Sequence, residues 1–169
     1  VNVKLLKQSE TDQMTGLANR YRLNAYSEKV LDYCYEHRLP LAMEILDIDF
    51  FKQYNDNYGH QQGDECIIAI ADELKKMEDR QTFCARYGGD EFIIIYAGIS
   101  AEEVHAKAGA LRQNIMNLKL EHLYSKALPI VTISQGISYG VPEEGNRSWD
   151  FLHTADMLLY QVKKKSRND

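Results

Sequence analysis

Residues 86–92 read Arg-Tyr-Gly-Gly-Asp-Glu-Phe, and this stretch decides the fold. Two glycines and two carboxylates precede the apolar run Phe-Ile-Ile-Ile at residues 92–95, a pattern that predicts a tight turn leading into a buried strand. The acidic side chains would then lie at the mouth of the turn, where chemistry is possible. Taken alone, the same residues also fit an ordinary hairpin in which Asp90 and Glu91 only keep the turn soluble.

The composition indicates one soluble globular domain. The chain has 169 residues, 44% of them hydrophobic and 27% charged, which is enough to bury a real core. No apolar run approaches the roughly 18 residues of a membrane span. The formal net charge of -5 argues against a non-specific nucleic-acid binder, which needs a basic face. A nucleotide substrate stays open, because a divalent metal can supply positive charge.

The cysteines and the first residues indicate the context of the domain. Cys34, Cys66 and Cys84 are widely spaced and odd in number, which predicts buried thiols in a reducing compartment. The chain begins with Val1 and has no signal peptide, so we expect a fragment of a longer cytoplasmic protein. Residues 1–11 are compatible with the end of a linker helix from a missing upstream domain.

The pattern on both sides of residues 86–92 predicts alternating helices and strands. Helical spacing predicts helices over residues 20–37, 65–77, 101–120 and 149–165, with Asn19 and Ser100 as N-caps. Strands are expected over residues 41–48, 82–85, 92–96 and 129–138. The amides and glycines of residues 54–64 favour a polar turn region. The mixture, with one antiparallel hairpin, predicts an α/β or α+β class with a helix-flanked sheet.

Two further groups of charged residues could carry chemistry. Asp47 and Asp49 would share one face at the carboxyl end of their strand. For Asp49 an N-cap role is the better interpretation, whereas for Asp47 it is not. Lys163, Lys164, Lys165 and Arg167 make the last helix basic at its end, which by itself fits a solvated helix terminus.

Taken together, the motifs resemble the GGDEF family of diguanylate cyclases over residues 12–169. Residues 12–20 (DQMTGLANR) are close to the family's D-x-L-T-G-L-x-N-R, and residues 47–64 (DIDFFKQYNDNYGHQQGD) to its D-x-D-x-F-K-x-x-N-D-x-x-G-H-x-x-G-D. Residues 86–92 contain the name motif, and residues 132–138 and 155–168 resemble the family's later strand and its final helix. Five blocks in the family's order make the resemblance specific.

The resemblance implies a fold and an activity. The fold would be a nucleotide-cyclase-like palm, in which helices flank a central, mostly antiparallel sheet and the name motif lies on a β-hairpin. The activity would be the condensation of two GTP molecules into cyclic di-GMP and two pyrophosphates. A homodimer would form the complete site, one GTP in each copy. An upstream sensor or receiver domain would regulate it, and neither nucleic acid nor direct membrane contact is expected of this domain.

The resemblance also implies roles for individual residues. Asp47, the Ile48 carbonyl and Asp90 would bind Mg²⁺, two ions per GTP, with Mn²⁺ able to replace it. Glu91 would help to activate the attacking hydroxyl, with Asp90 and Lys52 as the other catalytic residues. Asn55 and Asp64 would bind guanine, since a carboxylate can accept from its N1 and N2 hydrogens and adenine lacks that pair of donors. The remaining GTP-binding residues would be Phe50, Phe51, Lys52, Gly88, Gly89, Lys163 and Arg167.

Departures from the family pattern leave other functions open. Ser166 replaces a usual glycine. Residues 78–83 (EDRQTF) lack the inhibitory Arg-x-x-Asp of many members, so weak or absent feedback through that site is expected. The main alternative is a non-catalytic GTP-sensing module, and another is a cyclase with a different nucleotide product. The full-length protein could also be membrane-anchored, with this domain as its cytoplasmic part.

Overall fold

The computed structural model describes residues 9–167 of the chain and the side chains up to residue 165. The expected linker helix therefore falls mostly outside the described residues. Five helices and four strands are present within them, in the following order. They are α1 (Arg20–His37), β1 (Leu41–Ile48), α2 (Phe51–Tyr58), α3 (His60–Met77), β2 (Thr82–Arg86), β3 (Glu91–Ala97), α4 (Ala101–Asn117), β4 (Ile133–Gly140) and α5 (Ser148–Arg167).

The four strands form one sheet with the order β2-β3-β1-β4, and all neighbouring strands are antiparallel. β1 lies inside the sheet, and all eight of its residues are buried. Its side chains alternate between two apolar clusters. Leu46 and Ile48 belong to one cluster, and Met43 and Ile45 belong to the other. Because helices cover both faces of the sheet, the strand is apolar except for the two carboxylates Glu44 and Asp47.

The helices divide into two layers. Ile70 and Leu74 of α3 and Leu111 of α4 pack in the first cluster, whereas Leu31 of α1 and Leu159 of α5 pack in the second. This arrangement confirms the predicted helix-flanked antiparallel sheet. No helix of the described residues has the length and apolar character needed to cross a membrane. The three cysteines are free and buried, as their spacing predicts.

Most predicted elements are present, with one clear error. α1 and β1 have the predicted bounds, and Asn19 and Ser100 cap α1 and α4 by accepting the N–H groups of Arg22 and Glu103. The prediction of a polar turn region over residues 54–64 is wrong. Helices α2 and α3 fill that stretch and meet at Gly59, which has φ 90°. Burial of aromatic side chains against the core overrides the turn-forming composition there.

A buried carboxylate lies in the middle of β1. Glu44 is 0% exposed, and its carboxylate accepts hydrogen bonds from the Tyr96 hydroxyl (2.7 Å) and from Gln135 Nε2 (2.9 Å). Gln135 Nε2 also donates to the carbonyl of Ala108 in α4 (3.0 Å). Burial raises the pKa of the Glu44 carboxyl from 4.5 to about 7, although both hydrogen bonds act to lower it. The network joins three strands and α4 around one ionisable group.

We predict that Glu44 makes stability fall with rising pH. The folded protein keeps a proton that the unfolded chain releases above pH 4.5, so this contribution is complete below that pH and is lost as pH rises to about 7. The loss amounts to about 3 kcal/mol in the free energy of unfolding. Denaturant unfolding from pH 5 to pH 8 should show this decline in the wild type but not in Glu44→Gln. Parallel pH curves for the two proteins would contradict the assignment.

Helix α5 packs directly onto the backbone of β4 at one glycine. A Cβ added to Gly136 would lie 2.2 Å from the Ala155 carbonyl oxygen and 2.5 Å from the Leu159 backbone nitrogen. Both are backbone atoms of α5, so neither can move without the helix. The absence of a side chain at Gly136 therefore sets the distance between α5 and the sheet.

We predict that Gly136→Ala destabilises the fold by about 2 to 3 kcal/mol, because α5 must shift away from the sheet. Gly140, the last residue of the same strand, is the matched control, since a Cβ there would meet no atom within 4 Å. Gly140→Ala should change the free energy of unfolding by less than about 0.5 kcal/mol. Equal effects of the two substitutions in urea unfolding would show that α5 does not need this close approach.

Candidate active site

Carboxylates meet at the carboxyl end of β1. In the antiparallel register Asp47 lies opposite Glu91 on β3 and opposite Ser134 on β4. Asp90 immediately precedes β3, and its carboxylate accepts a hydrogen bond from the backbone N–H of Ile48. The structure thus places Asp47, Asp90 and Glu91, which come from two separate sequence motifs, at the same end of the sheet.

The Asp47 carboxylate is buried and only partly paired. Its side chain is 8% exposed, and Oδ2 accepts from the ammonium group of Lys163 on α5. Oδ1 is buried without a hydrogen-bond partner among the described residues. A buried acceptor in that state is costly unless a further positive group or donor reaches it. Asp47 therefore offers one free oxygen at the end of the strand.

The two acids of the hairpin are harder to ionise than exposed carboxyls. Burial raises the pKa of Asp90, while the N–H groups of Asp90 and Ile48 lower it in part. Burial also raises the pKa of Glu91, and the nearby charges of Asp90 and Asp156 add to that effect, against the opposing charge of Arg20. Such environments are common where a carboxylate exchanges protons or binds a cation.

Two arginines hold the turn that carries these acids. Arg86 donates from Nε to the Gly88 carbonyl (3.2 Å) and from Nη2 to the Gly89 carbonyl (2.9 Å), and its Nη1 pairs with Asp12 (3.3 Å). From α1, Arg20 donates to the Tyr87 carbonyl (2.8 Å) and lies 3.9 Å from the centre of the Tyr87 ring. Both arginines lie within the sequence motifs of residues 12–20 and 86–92, but the sequence alone predicts no role for them.

The two glycines of this turn are not required by backbone conformation. Neither Gly88 nor Gly89 has a positive φ. A Cβ at Gly89 would meet no protein atom within 4 Å, and one at Gly88 would come 2.9 Å from Oε1 of Glu91. Gly89 therefore borders open space, and Gly88 leaves room for the Glu91 carboxylate.

The turn between β1 and α2 corrects one prediction. Asp49 is not the N-cap of α2, because that position belongs to Phe50, which has a left-handed backbone (φ 54°). The Asp49 carboxylate accepts instead from the hydroxyls of Thr132 (2.7 Å) and Ser134 (2.5 Å). It ties the turn to the residues that enter β4, which a local helix-capping pattern does not reveal.

The residues proposed for substrate contact on α2 and α3 differ in exposure. Lys52 has 85% of its side chain exposed and lies 3.6 Å from Asp56. Asn55 has a buried Oδ1 without a hydrogen-bond partner among the described residues. Asp64 of α3, in contrast, is exposed. A Cβ at Gly63, the residue before Asp64, would lie only 1.8 Å from Oδ1 of Asn55. The two helices thus contact each other at the Asn55 amide.

The remaining candidates are Phe51 and Arg167. Phe51 is partly buried and packs against the first apolar cluster. Arg167 is the last residue of α5, and its side chain lies outside the described residues. Across the described residues, His, Cys, Asp and Glu side chains nowhere form a group of three or more that could hold a metal ion by themselves.

Comparison with known sequences gives matches along almost the whole chain. A family model described as "Diguanylate cyclase, GGDEF domain" matches residues 9–169. The probable diguanylate cyclase DgcC of Escherichia coli K12 is 34% identical over 168 residues, which cover 98% of this chain and 43% of that protein. The response regulator PleD of Caulobacter vibrioides is 31% identical over 163 residues, or 96% of this chain and 36% of that protein. The chain thus spans less than half of these relatives.

Solved structures have the same fold. The GGDEF domain of DgcB from Caulobacter crescentus, solved in complex with c-di-GMP, matches with a TM-score of 0.84 and 27% identity, covering 95% of this chain and 90% of that one. A sensory box/GGDEF family protein from Caulobacter crescentus CB15 matches with a TM-score of 0.77 and 31% identity, covering 93% of this chain and 99% of that one.

Proposed function

Because the chain belongs to the GGDEF domain family of diguanylate cyclases, we propose that it condenses two GTP molecules into cyclic di-GMP and two pyrophosphates. The observation that carries the proposal is the meeting of Asp47, Asp90 and Glu91 at the carboxyl end of β1. Family membership confirms the resemblance found in the sequence, and the relatives named as diguanylate cyclases support the activity.

The reaction explains why three acids are needed. The 3′-oxygen of one GTP forms a bond to the α-phosphorus of the other, the bond to pyrophosphate breaks, and the hydroxyl proton must leave. Glu91 is suited to accept this proton, because burial and neighbouring charges raise its pKa and so make it a better base. Repeating the step between the two nucleotides closes the ring.

The residues at the end of β1 fit Mg²⁺. The ion prefers oxygen ligands and is usually bound by one or two carboxylates together with substrate phosphates. Asp47, whose buried Oδ1 lacks a partner among the described residues, would hold it together with Asp90 and the Ile48 carbonyl. When bound, Mg²⁺ would neutralise phosphate charge and lower the pKa of the attacking hydroxyl. Mn²⁺ has similar ligand preferences and could replace it.

The phosphates would lie between α2 and α5. Lys52 extends into solvent from α2, and Lys163 approaches Asp47 from α5, so cations flank the acidic end of β1 on both sides. Arg167, one helical turn after Lys163, would add a further cation. Phe50 and Phe51, at the start of α2, and Gly88 and Gly89 in the hairpin would border the same phosphates with their backbones.

Asn55 and Asp64 would recognise guanine. Asn55 Oδ1 is a buried acceptor without a partner among the described residues, and guanine offers N1 and N2 hydrogens. Asp64 is exposed on the neighbouring helix and can accept from the same edge of the base. Adenine would leave these acceptors unpaired, at a cost of roughly 1 to 3 kcal/mol. These residues therefore support a preference for GTP over ATP.

We predict that Gly63→Ala weakens GTP binding at least about tenfold without loss of stability. The new Cβ would displace the Asn55 amide, but alanine is a better helix former than glycine by about 1 kcal/mol. Gly109→Ala in α4 is the matched control, because a Cβ there would meet no atom within 4 Å. Calorimetric titration with GTP and thermal unfolding test both effects. Wild-type affinity in Gly63→Ala would contradict the role of Asn55.

One copy of this domain would hold one GTP and would therefore form half of the complete active site. A homodimer would bring two such half-sites together across a two-fold axis. Because the relatives are longer than this chain, a sensor or receiver domain outside it could control dimerisation through effective concentration. We therefore propose that turnover depends on protein concentration.

The central test is product analysis of wild type and Asp90→Ala with Mg²⁺ and GTP, ATP or both. We expect cyclic di-GMP from GTP in the wild type, and at least about a 100-fold lower rate in Asp90→Ala, because one metal ligand is lost. Glu144→Ala, which removes an exposed loop carboxylate, should keep its rate.

Each outcome of this assay has a distinct meaning. GTP binding without any product at high protein concentration would identify a GTP-sensing module instead of a cyclase. A mixed product with ATP would identify a cyclase of different specificity. An Asp90→Ala variant that turns over GTP at a comparable rate would contradict the mechanism.

A further inference from the structure

Helix α2 starts with a conformation that needs support from outside the helix. Its N-cap is Phe50, which has φ 54° and ψ 38° and makes no side-chain capping hydrogen bond. A left-handed backbone is unfavourable for a phenylalanine, and such a conformation persists only where the surroundings hold it. The first backbone bond of α2 runs from the Tyr54 N–H to the Phe50 carbonyl (3.1 Å).

His122 makes a contact with this same carbonyl. Its Nε2 lies 2.9 Å from the Phe50 oxygen, although the two residues are 72 positions apart in sequence. A carbonyl oxygen only accepts, so Nε2 donates the hydrogen. The side chain is fully buried, and its ring contacts the Tyr54 ring edge-on with 5.1 Å between the centroids. The imidazole therefore holds both the first carbonyl and the buried face of α2.

The backbone around His122 is itself fixed. The His122 N–H donates to the Pro129 carbonyl (3.0 Å), and Glu121 pairs with Ile130 in an isolated antiparallel bridge. Next to Phe50 in the turn, the Asp49 N–H donates to the Thr132 carbonyl (2.9 Å). The segment between α4 and β4 thus contacts the β1–α2 turn at two adjacent residues.

A histidine at this buried position has a cost that an apolar residue would avoid. Its Nδ1 is buried and has no hydrogen-bond partner among the described residues. A phenylalanine would fill similar space without leaving a polar atom unpaired. The hydrogen bond from Nε2 to Phe50 is thus the contact that explains the histidine.

We propose that His122 is a positioning residue, which holds the start of α2 so that this helix presents Lys52 and Asn55 to the substrate. This inference rests on the proposed function, because both side chains are assigned there to GTP. A shift of the Phe50 carbonyl would move the first turn of α2, and with it the Asn55 amide that lies against Gly63. His122 acts through the backbone and needs no contact with the nucleotide.

The test compares His122→Phe with His122→Gln. Phenylalanine keeps an aromatic ring but has no donor, whereas the glutamine amide can still donate to the Phe50 carbonyl. We expect the KM and Kd for GTP to rise about tenfold in His122→Phe, with kcat changed less than about threefold, and to stay within about threefold of wild type in His122→Gln. Leu111→Ala, a core substitution in α4 that spares this contact, controls for general loss of stability.

Amide hydrogen exchange without nucleotide separates this inference from the proposed function. The Tyr54 amide should exchange about tenfold faster in His122→Phe and at the wild-type rate in His122→Gln. The positioning role would be overturned if His122→Phe bound GTP with wild-type affinity, or if His122→Gln were as impaired as His122→Phe. An equal loss of GTP affinity in Leu111→Ala would also overturn it. A wild type that binds no GTP would overturn the proposed function, while unchanged exchange at Tyr54 would overturn the contact itself.

Discussion

The antiparallel register between β1 and β3 decides where the acidic side chains meet. Asp47 faces Glu91 only while Leu46 pairs with Phe92 and the rest of the ladder follows. A slip by one residue would send every β3 side chain to the opposite face of the sheet. Because both faces of these strands are apolar and covered by helices, such a slip would exchange one buried apolar residue for another. Apolar burial alone therefore specifies this register weakly.

The buried Glu44 supplies the missing specificity. Its hydrogen bond from Tyr96 runs diagonally between β1 and β3, since Glu44 lies opposite Ile94 and Tyr96 lies opposite Ala42. A slip by one residue would carry Tyr96 to the opposite face, and this carboxylate would lose that donor inside the core. The cost of burying it, which appears as a pKa raised to about 7, is thus linked to a single strand pairing. That pairing in turn sets the positions of Asp47 and Glu91.

The sequence predicts those parts of the fold and site that depend on local patterns. Periodicity bounded by Asn19 and Pro40 is enough to define α1 and β1, and strand alternation places Asp47 at the end of β1. Local patterns could not show that residues 54–64 are helical, because burial of Tyr54 against the core decides it. Nor could they show the contact of Arg86 with Asp12 or that of His122 with Phe50, because these partners are 74 and 72 positions apart in sequence.

The groups proposed for the reaction come from both layers of the fold. Lys52 and Asn55 lie on α2, which packs in the same apolar cluster as α3 and α4, whereas Lys163 lies on α5 in the opposite layer. Asp47, at the carboxyl end of β1, lies between these groups, so a substrate that contacts both layers would pass this end of the sheet. The geometry of the proposed site therefore depends on the close approach of α5 to β4 at Gly136 and on the contact of His122 with the start of α2. A change at either point would alter the site without touching any residue that is proposed to contact the nucleotide.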